Sequence, residues 1–428
     1  MEKPHYVYDI DDCPPLIHAF LYALQWAIIL FPALIIVASL AGKALNLDAA
    51  GEVRFFQMTL LTSGLFTALQ AFWGHRYPLL DGPAAALLLT FIVLAPFGIE
   101  SIQGGTILGG LFLMGIVLTG QLKKLVAFAT PNVVGVILML IAFTLLPHLT
   151  RTMTGMDSHP DGQPSTFFLS MALVMVIAVL SHWLKGFLKT IALLFGMVIG
   201  TLVFGFLTPP EWDHLMQSRW LDTPSQWIAE TPRFYWPAVI ALATSYVAVL
   251  VNSLGSISGI AAVTDTQRLS KGMARGVFLN GVGGVFCGVF GIVGLVSYSM
   301  SPGVVLANRV ASRYTTAYCG ILFVVAAFVP KLAALLSSVP SPVVGAALCV
   351  AMGAQVGAGL AVVAGNALTS RDYYVVGLPV ILGTLVGFLP EAFLHSVSPG
   401  VRIFLGNGLI TGIALVLFLE HLLMPKKK

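Results

Sequence analysis

Apolar runs of about twenty residues follow one another from Leu16 almost to the C-terminus, separated by short polar breaks. An α-helix needs about that length to cross the hydrocarbon core of a bilayer. Roughly fourteen such runs are readable, starting near Leu16, Phe55, Leu79, Gln103, Leu125, Phe167, Phe187, Pro237, Val277, Gly303, Thr316, Val343, Val375 and Ile403. Charged residues make up 9% of the 428, against about 25% in a soluble domain, too few to clothe a water-facing surface of this size. The runs lack the strand alternation of a membrane barrel. The chain therefore reads as an all-α polytopic membrane protein in a lipid bilayer.

The N-terminal MEKPHYVYDIDDCPP is polar and acidic and does not read as a signal peptide. Cys13, Cys287, Cys319 and Cys349 are scattered, with neither a disulfide framework nor metal-ligand spacing. No metal or other cofactor is expected. The basic residues are dispersed over short loops, which argues against nucleic acid as a partner. With an even number of spans both termini face one side. That side, which includes Lys3, Lys123, Arg268, Arg313, Arg371 and Lys426 to Lys428, then carries 15 of the 22 Lys and Arg. Basic loops favour the cytoplasm, so both termini are expected there, with the chain in the cell inner membrane.

Two stretches interrupt the apolar pattern. VSYSMSPGVV (Val296 to Val305) places serines, a tyrosine and a Pro-Gly pair where a membrane helix would carry leucines. LDGPAAALLL (Leu80 to Leu89) breaks an earlier run with Gly82-Pro83. Gly82 and Gly303 are 221 positions apart. A second echo, TPNVVGVIL from Thr130 and SPVVGAAL from Ser341, aligns Gly135 with Gly345 at an offset of 210, close to half the chain. An offset of seven spans, an odd number, makes the halves inverted. Paired Gly/Pro-interrupted segments in two inverted halves point to a transporter binding site. Proline removes a donor and glycine loosens the backbone. Such a break is tolerated at membrane depth only when buried in protein or lining a wet cavity. A half-helix starting there aims free N–H groups at the cavity's occupant.

PPLIHAFLYALQWAIILFPALI (Pro14 to Ile35), RYPLLDGPAAA, MARGVFLNGVGGVFCGVFG (Met273 to Gly291) and SYSMSPGVVLANRVASR resemble, in order and spacing, the first, third, ninth and tenth spans of the nucleobase–ascorbate transporter family (nucleobase:cation symporter-2; uracil/xanthine permease-like). The resemblance implies fourteen segments in two inverted seven-segment repeats, with short half-helices at segments 3 and 10. It implies a core domain from 14–122 and 235–337, a gate domain from 123–207 and 338–424, and an outer Trp-rich loop over 208–234. It further implies a homodimer that moves core against gate like an elevator, with substrate between the half-helices.

The residues of the pocket depart from the family. The substrate-binding Glu of its eighth span is Asn252 here, followed by Gly255 and by Ser256 in place of a His. The tenth-span motif is Met300-Ser301-Pro302-Gly303, after Tyr298 and Ser299, and the third-span aromatic is Ala85, after Ala84. The first-span Gln-His pair is Gln25-Trp26. These residues form the expected substrate site, with Gln25, Gly82, Pro83, Gly255 and Pro302 in support. Gln25 is placed to anchor residue 252.

On chemistry alone, the Asn252 amide offers a donor and an acceptor together, matching a heterocyclic amide edge or an interhelical hydrogen bond. No Asp or Glu is placed deep in a span. Asp81 comes nearest, as a cap of the half-helix or as a titrating coupling group. Trp212, Trp220, Trp227 and Trp236 in the outer loop read as an interfacial belt or partial lid. The expected function is secondary transport of a nucleobase or related heterocycle, with H+ or Na+ as candidate coupling ion. The alternative is an anion transporter or exchanger without proton coupling. A sensor would need no paired broken helices, and no nucleophile–base constellation favours an enzyme.

Overall fold

The computed structural model describes residues 6–425 apart from 123, 125–127, 158, 186–187, 190, 208–214, 217, 225 and 366. The expected span starts at Leu125 and Phe187, Trp212, and the basic residues Lys3, Lys123 and Lys426 to Lys428 lie outside the described residues. The first half comprises α1 (Leu16–Ala44), α2 (Ala49–Phe72), β1 (Asp81–Pro83), α3 (Ala85–Leu94), α4 (Ile99–Leu118), α5 (Pro131–Phe143), α6 (Leu146–Met153), α7 (Pro164–Trp183) and α8 (Ala192–Leu207). The second comprises α9 (Trp236–Val263), α10 (Leu269–Phe290), β2 (Leu295–Ser297), α11 (Ser301–Asn308), α12 (Arg313–Ala326), α13 (Pro330–Ser337), α14 (Ser341–Ala364), α15 (Ser370–Val386), α16 (Glu391–Ser396), α17 (Pro399–Leu405) and α18 (Gly408–Phe418). Among the described residues, eight helices are long and apolar enough to cross a membrane, and the pair α12 and α13, bent by 95°, makes a ninth. Three shorter apolar helices, α3, α8 and α18, accompany them among the described residues. The result is a fold of about 14 segments in two inverted repeats.

Local chemistry sets several helix ends. Asp48 accepts from the Gly51 N–H at the start of α2, Thr130 from Val133 at α5, and Asn407 from Ile410 at α18. Each satisfies an orphan donor of the first turn. Thr369 and Asp372 form a capping box on α15. Gly291 ends α10 with φ 69°, a conformation glycine takes without strain.

The helices sort into two packed groups. In one, α1–α4 pack with α9, α10, α12 and α13; in the other, α5–α8 pack with α14, α15 and α18. Two glycine contacts hold the first group together. Gly64 of α2 meets Gly320 of α12, where a Cβ on Gly320 would lie 2.4 Å from the Gly64 carbonyl oxygen. Gly110 of α4 meets Gly281 of α10 in the same way, with a Cβ on Gly281 2.7 Å from the Gly110 oxygen. Interchanging the two halves carries α2–α12 onto α10–α4, so these close approaches are equivalents under the inverted repeat.

One expectation about charge is corrected. Asp81, Asp372 and Glu420 are buried, although the sequence reading put every acid outside the spans. Asp81 is stabilised by Ser297 and Glu420 by Arg371 and Asn132, all distant in sequence, whereas Asp372 has the adjacent Arg371 and its capping partner Thr369 as well as the distant Asn132. The described part of the outer loop lies across the first group. Arg54 donates to the Gln226 carbonyl at 2.6 Å, the Arg233 N–H to Glu100 at 2.9 Å, and Lys331 sits 4.8 Å from the Trp220 ring centroid.

Candidate functional site

The two interrupted segments meet. β1 and β2 pair antiparallel in the register Asp81 with Ser297, Gly82 with Val296 and Pro83 with Leu295. Their backbone groups are satisfied against each other, as a non-helical segment inside a bilayer requires. The Ala84 N–H adds a bond to the Gly294 carbonyl and Tyr298 one to Leu80. Gly82 leaves room for Tyr298: a Cβ here would lie 3.0 Å from the Tyr298 hydroxyl oxygen and 3.1 Å from its ring, tighter than an ordinary contact. Tyr298 in turn donates to the Pro83 carbonyl at 2.8 Å. From this crossing α3 and α11 start in their respective halves. Their N-caps are Ala84 and Met300, and neither start carries a side-chain cap. Both helices therefore turn the positive end of their dipoles toward the crossing, although at α11 the Ser301 and Gly303 N–H groups already donate to the Tyr298 and Met300 carbonyls and Pro302 has no N–H to offer.

The face of α9 that carries Asn252, Gly255, Ser256 and Gly259 runs beside this crossing. Ser256 donates to the Ser297 carbonyl at 2.8 Å, and a Cβ on Gly259 would meet Pro302 at 3.5 Å. Nothing lies within 4 Å of a Cβ built on Gly255 or Gly303, so both border open space. Asn252 is half-buried and its side-chain amide has no hydrogen-bond partner among the described residues. Ser299 and Met300 are exposed and Ala85 is half-buried.

The expected residues thus divide by role. Asn252, Gly255, Ala85, Ser299, Met300 and Gly303 lie at or near the opening. Ser256, Tyr298, Ser301, Ala84, Gly82 and Pro83 build the crossing; Ser301 Oγ accepts the Leu80 N–H at 3.3 Å. Pro302 occupies the first turn of α11. Gln25 does not anchor residue 252. Its Nε2 is buried without a partner, while the neighbouring Trp26 donates to Thr315 at 3.1 Å. Asp81 is no helix cap. Its carboxylate points sideways, accepting from Ser297 Oγ at 2.8 Å, with His75 Nε2 at 3.5 Å.

Sequence reasoning missed the polar cluster behind the crossing. Asn280 of α10 donates to Ser253 at 2.7 Å and reaches Ser297 Oγ at 3.4 Å. Gln70 of α2 donates to Asn280 at 2.7 Å and to the Gly276 carbonyl at 2.9 Å. Thr67 exchanges hydrogen bonds with the backbone of Asp81. Gln70, His75, Ser253, Asn280 and Ser297 are all buried. The available signal was a polar residue inside each apolar run, the same signal that singled out Asn252. In a second polar cluster the half-buried Asn132 and Arg371 hold the buried Asp372 and Glu420; Asn132 and the two acids line a cavity of about 350 Å³ between α5, α15 and the segment after α18.

Two inverted repeats, a crossed pair of short strands and two half-helices facing an opening define a membrane transporter with core and gate domains. Solved structures share this fold. The transmembrane domain of a cyanobacterium bicarbonate transporter, BicA, matches with TM-score 0.62 and 16% identity, covering 88% of this chain and 97% of that one. Murine solute carrier 26 family member A9, an anion transporter in the inward-facing state, matches with TM-score 0.61 and 14% identity, over 95% of this chain and 68% of that one. At the level of sequence, the permease family Xan_ur_permease matches residues 17–392. The chain belongs to this family, the nucleobase–ascorbate transporters. Among curated relatives, the uric acid permease PucK of Bacillus subtilis is 27% identical over 94% of this chain and 95% of that protein. The xanthine permease XanP of Escherichia coli is 25% identical over 99% and 95%. Permease family membership implies a small-molecule substrate and a multi-pass place in a membrane.

Proposed function

We propose that the protein is a secondary transporter of a nucleobase of the uracil/xanthine class, binding its substrate between α3 and α11 beside Asn252. One observation carries this reading: an unpartnered Asn252 amide at an opening framed by two uncapped half-helix starts, in a permease whose relatives are named for xanthine and uric acid. The amide supplies the paired donor and acceptor that a purine edge requires. The helix starts favour electronegative oxygens or a negative charge on the ring. The α1–α4 and α9–α13 group acts as the core (14–122 and 235–337), the other as the gate (123–207 and 338–424), and core moves against gate. Both termini face the cytoplasm across the inner membrane, and the protein works as a homodimer.

The test is counterflow in proteoliposomes. Vesicles loaded with unlabelled xanthine, uracil or urate are expected to take up the labelled compound, and Asn252→Ala to weaken that exchange. Exchange of sulfate or bicarbonate without any nucleobase exchange would favour the anion-transporter reading instead.

A further inference from the structure

Behind the strand crossing lies a buried carboxylic acid with few hydrogen-bond partners. Asp81 is completely buried. Among the described residues the protein supplies two side-chain donors to its carboxylate: Ser297 Oγ at 2.8 Å on Oδ1, and His75 Nε2 at 3.5 Å near Oδ2. That is a thin donor set for a full negative charge removed from water. His75 is also fixed in one form. The Tyr77 backbone N–H donates to His75 Nδ1 at 3.0 Å, which leaves the ring proton on Nε2, facing Asp81. A proton on Nδ1 would meet the Tyr77 N–H head-on, so the ring turns its Nε2–H toward Asp81.

The surroundings are otherwise polar but uncharged. From α2 come Thr67 and Gln70, from α9 Ser253 and Ser256, from α10 Asn280, and from the β2–α11 connection Tyr298 and Ser301. Of these, Tyr298 is the titratable one. Tyr77 stands on the far side of His75, donating to the Asp265 carbonyl at 2.6 Å, and the Asp265–Arg268 ion pair lies beyond it. On α10, Lys271 and Arg275 are exposed. Ser297 and Asp81 are the outermost pair of the strand register, next to Gly82 and Tyr298 of the crossing.

We propose that Asp81, positioned by His75 and Ser297, is the proton-carrying group of this transporter, and that its protonation favours an anionic oxopurine in the adjoining site. The inference rests on the transport reading above. A proton from the outer water binds an Asp81 carboxylate oxygen. Neutral Asp81 then adds no negative charge behind the two half-helix starts, so proton and anion bind with positive coupling. On the cytoplasmic side the proton returns to water, the carboxylate and the bound anion repel, and the anion leaves. The charge of the missing eighth-span carboxylate is thus carried from behind the crossing rather than from α9.

Urate is the probe, with purified protein in proteoliposomes. For the wild type, an outside-acid gradient of one unit is expected to drive accumulation to about tenfold above the outer concentration for one proton per anion, and a Na+ gradient to drive none. Asp81→Asn, isosteric and permanently neutral, is expected to exchange urate in counterflow with no dependence on pH and to accumulate none. His75→Gln keeps accumulation but shifts the pH profile of exchange. Asp81→Asn that accumulates urate like the wild type overturns the proposal, as does wild-type accumulation driven by Na+ or by neither ion. Should Asp81→Asn lose counterflow as well, Ser297→Ala decides: a displaced pH profile supports the proposal and an unmoved one overturns it. A wild type that shows no counterflow of urate, xanthine or uracil overturns the transport reading itself, and this inference with it.

Discussion

Gly320→Ala is expected to be among the most damaging single-methyl additions to this chain. Its Cβ would lie 2.4 Å from the Gly64 carbonyl oxygen, 2.7 Å from the Ala68 nitrogen and 3.0 Å from the Ala68 Cβ. An ordinary contact between carbon and a carbonyl oxygen is about 3.3–3.6 Å, so α12 and α2 must part by about 1 Å. The first two atoms are helix backbone and cannot turn aside as the end of a side chain would. Overpacking of this kind costs about 1–3 kcal/mol, occasionally more. Alanine recovers at most about 1 kcal/mol through its better helix propensity. Residues 67 and 70 on α2 brace β1 and α10, so the strain also reaches the crossing. Thermal unfolding of detergent-purified protein, at one fixed scan rate, should show a clearly lowered Tm. Gly110→Ala, the repeat-related change with a Cβ 2.5 Å from the Gly281 oxygen and 2.7 Å from the Val285 nitrogen, should behave alike. Gly353→Ala, where nothing lies within 4 Å, should be neutral or stabilising. A Gly320→Ala protein as heat-stable as the wild type would refute the close-packing argument.

Asn252→Ala should weaken nucleobase binding by about 1–3 kcal/mol, the cost of leaving a buried polar partner unpaired, and Asn252→Glu should weaken urate further by placing like charges together; titration calorimetry reads both. Lys43 at the end of α1 bonds Asp157 at 2.9 Å and also Ser341 at the start of α14, tying the proposed core to the proposed gate. Burial opposes the charge of Asp157, but Lys43, Ser341 and Arg151 outweigh it and lower its pKa. Lys43→Met should therefore shift the balance of conformations, seen as a change in cysteine labelling at the Gly255 and Gly303 positions; unchanged labelling would count against this tie between the two groups. The Arg268 guanidinium, with Arg313 assisting, brings Asp11 from 3.8 to about 2. A pKa lowered by folding stabilises the native state above the unfolded value of about 3.9. Asp11→Asn should thus lower the Tm at neutral pH, and the difference should shrink as the pH falls from about 4 toward 2; a difference constant with pH would contradict this.

The membrane class, the crossings and the inverted repeat were legible in the chain because they are one-dimensional. Span length answers to bilayer thickness, and a Gly-Pro break in an apolar run is conspicuous wherever it occurs. Asn252 and the 296–305 segment stood out for the same reason, as polar residues with no local cause. The partnerships across the fold were not. Asp81 read as a helix cap because its neighbours in sequence begin a helix; only the antiparallel register of β1 and β2 sets it against Ser297, 216 positions away. Gln25 seemed placed to brace residue 252, yet α1 directs Trp26 to Thr315 and leaves the amide of Gln25 unpaired. Glu420 passed for a loop acid until Arg371 and Asn132 reached it from other helices, and Asp372, capped locally by Thr369, gains Asn132 only through the fold. A buried charge survives through whatever partner reaches it, and hydrogen bonds reach only about 3 Å in space while spanning any distance in sequence. Hydrophobic length is written along the chain; which polar groups satisfy one another is decided when the two halves cross.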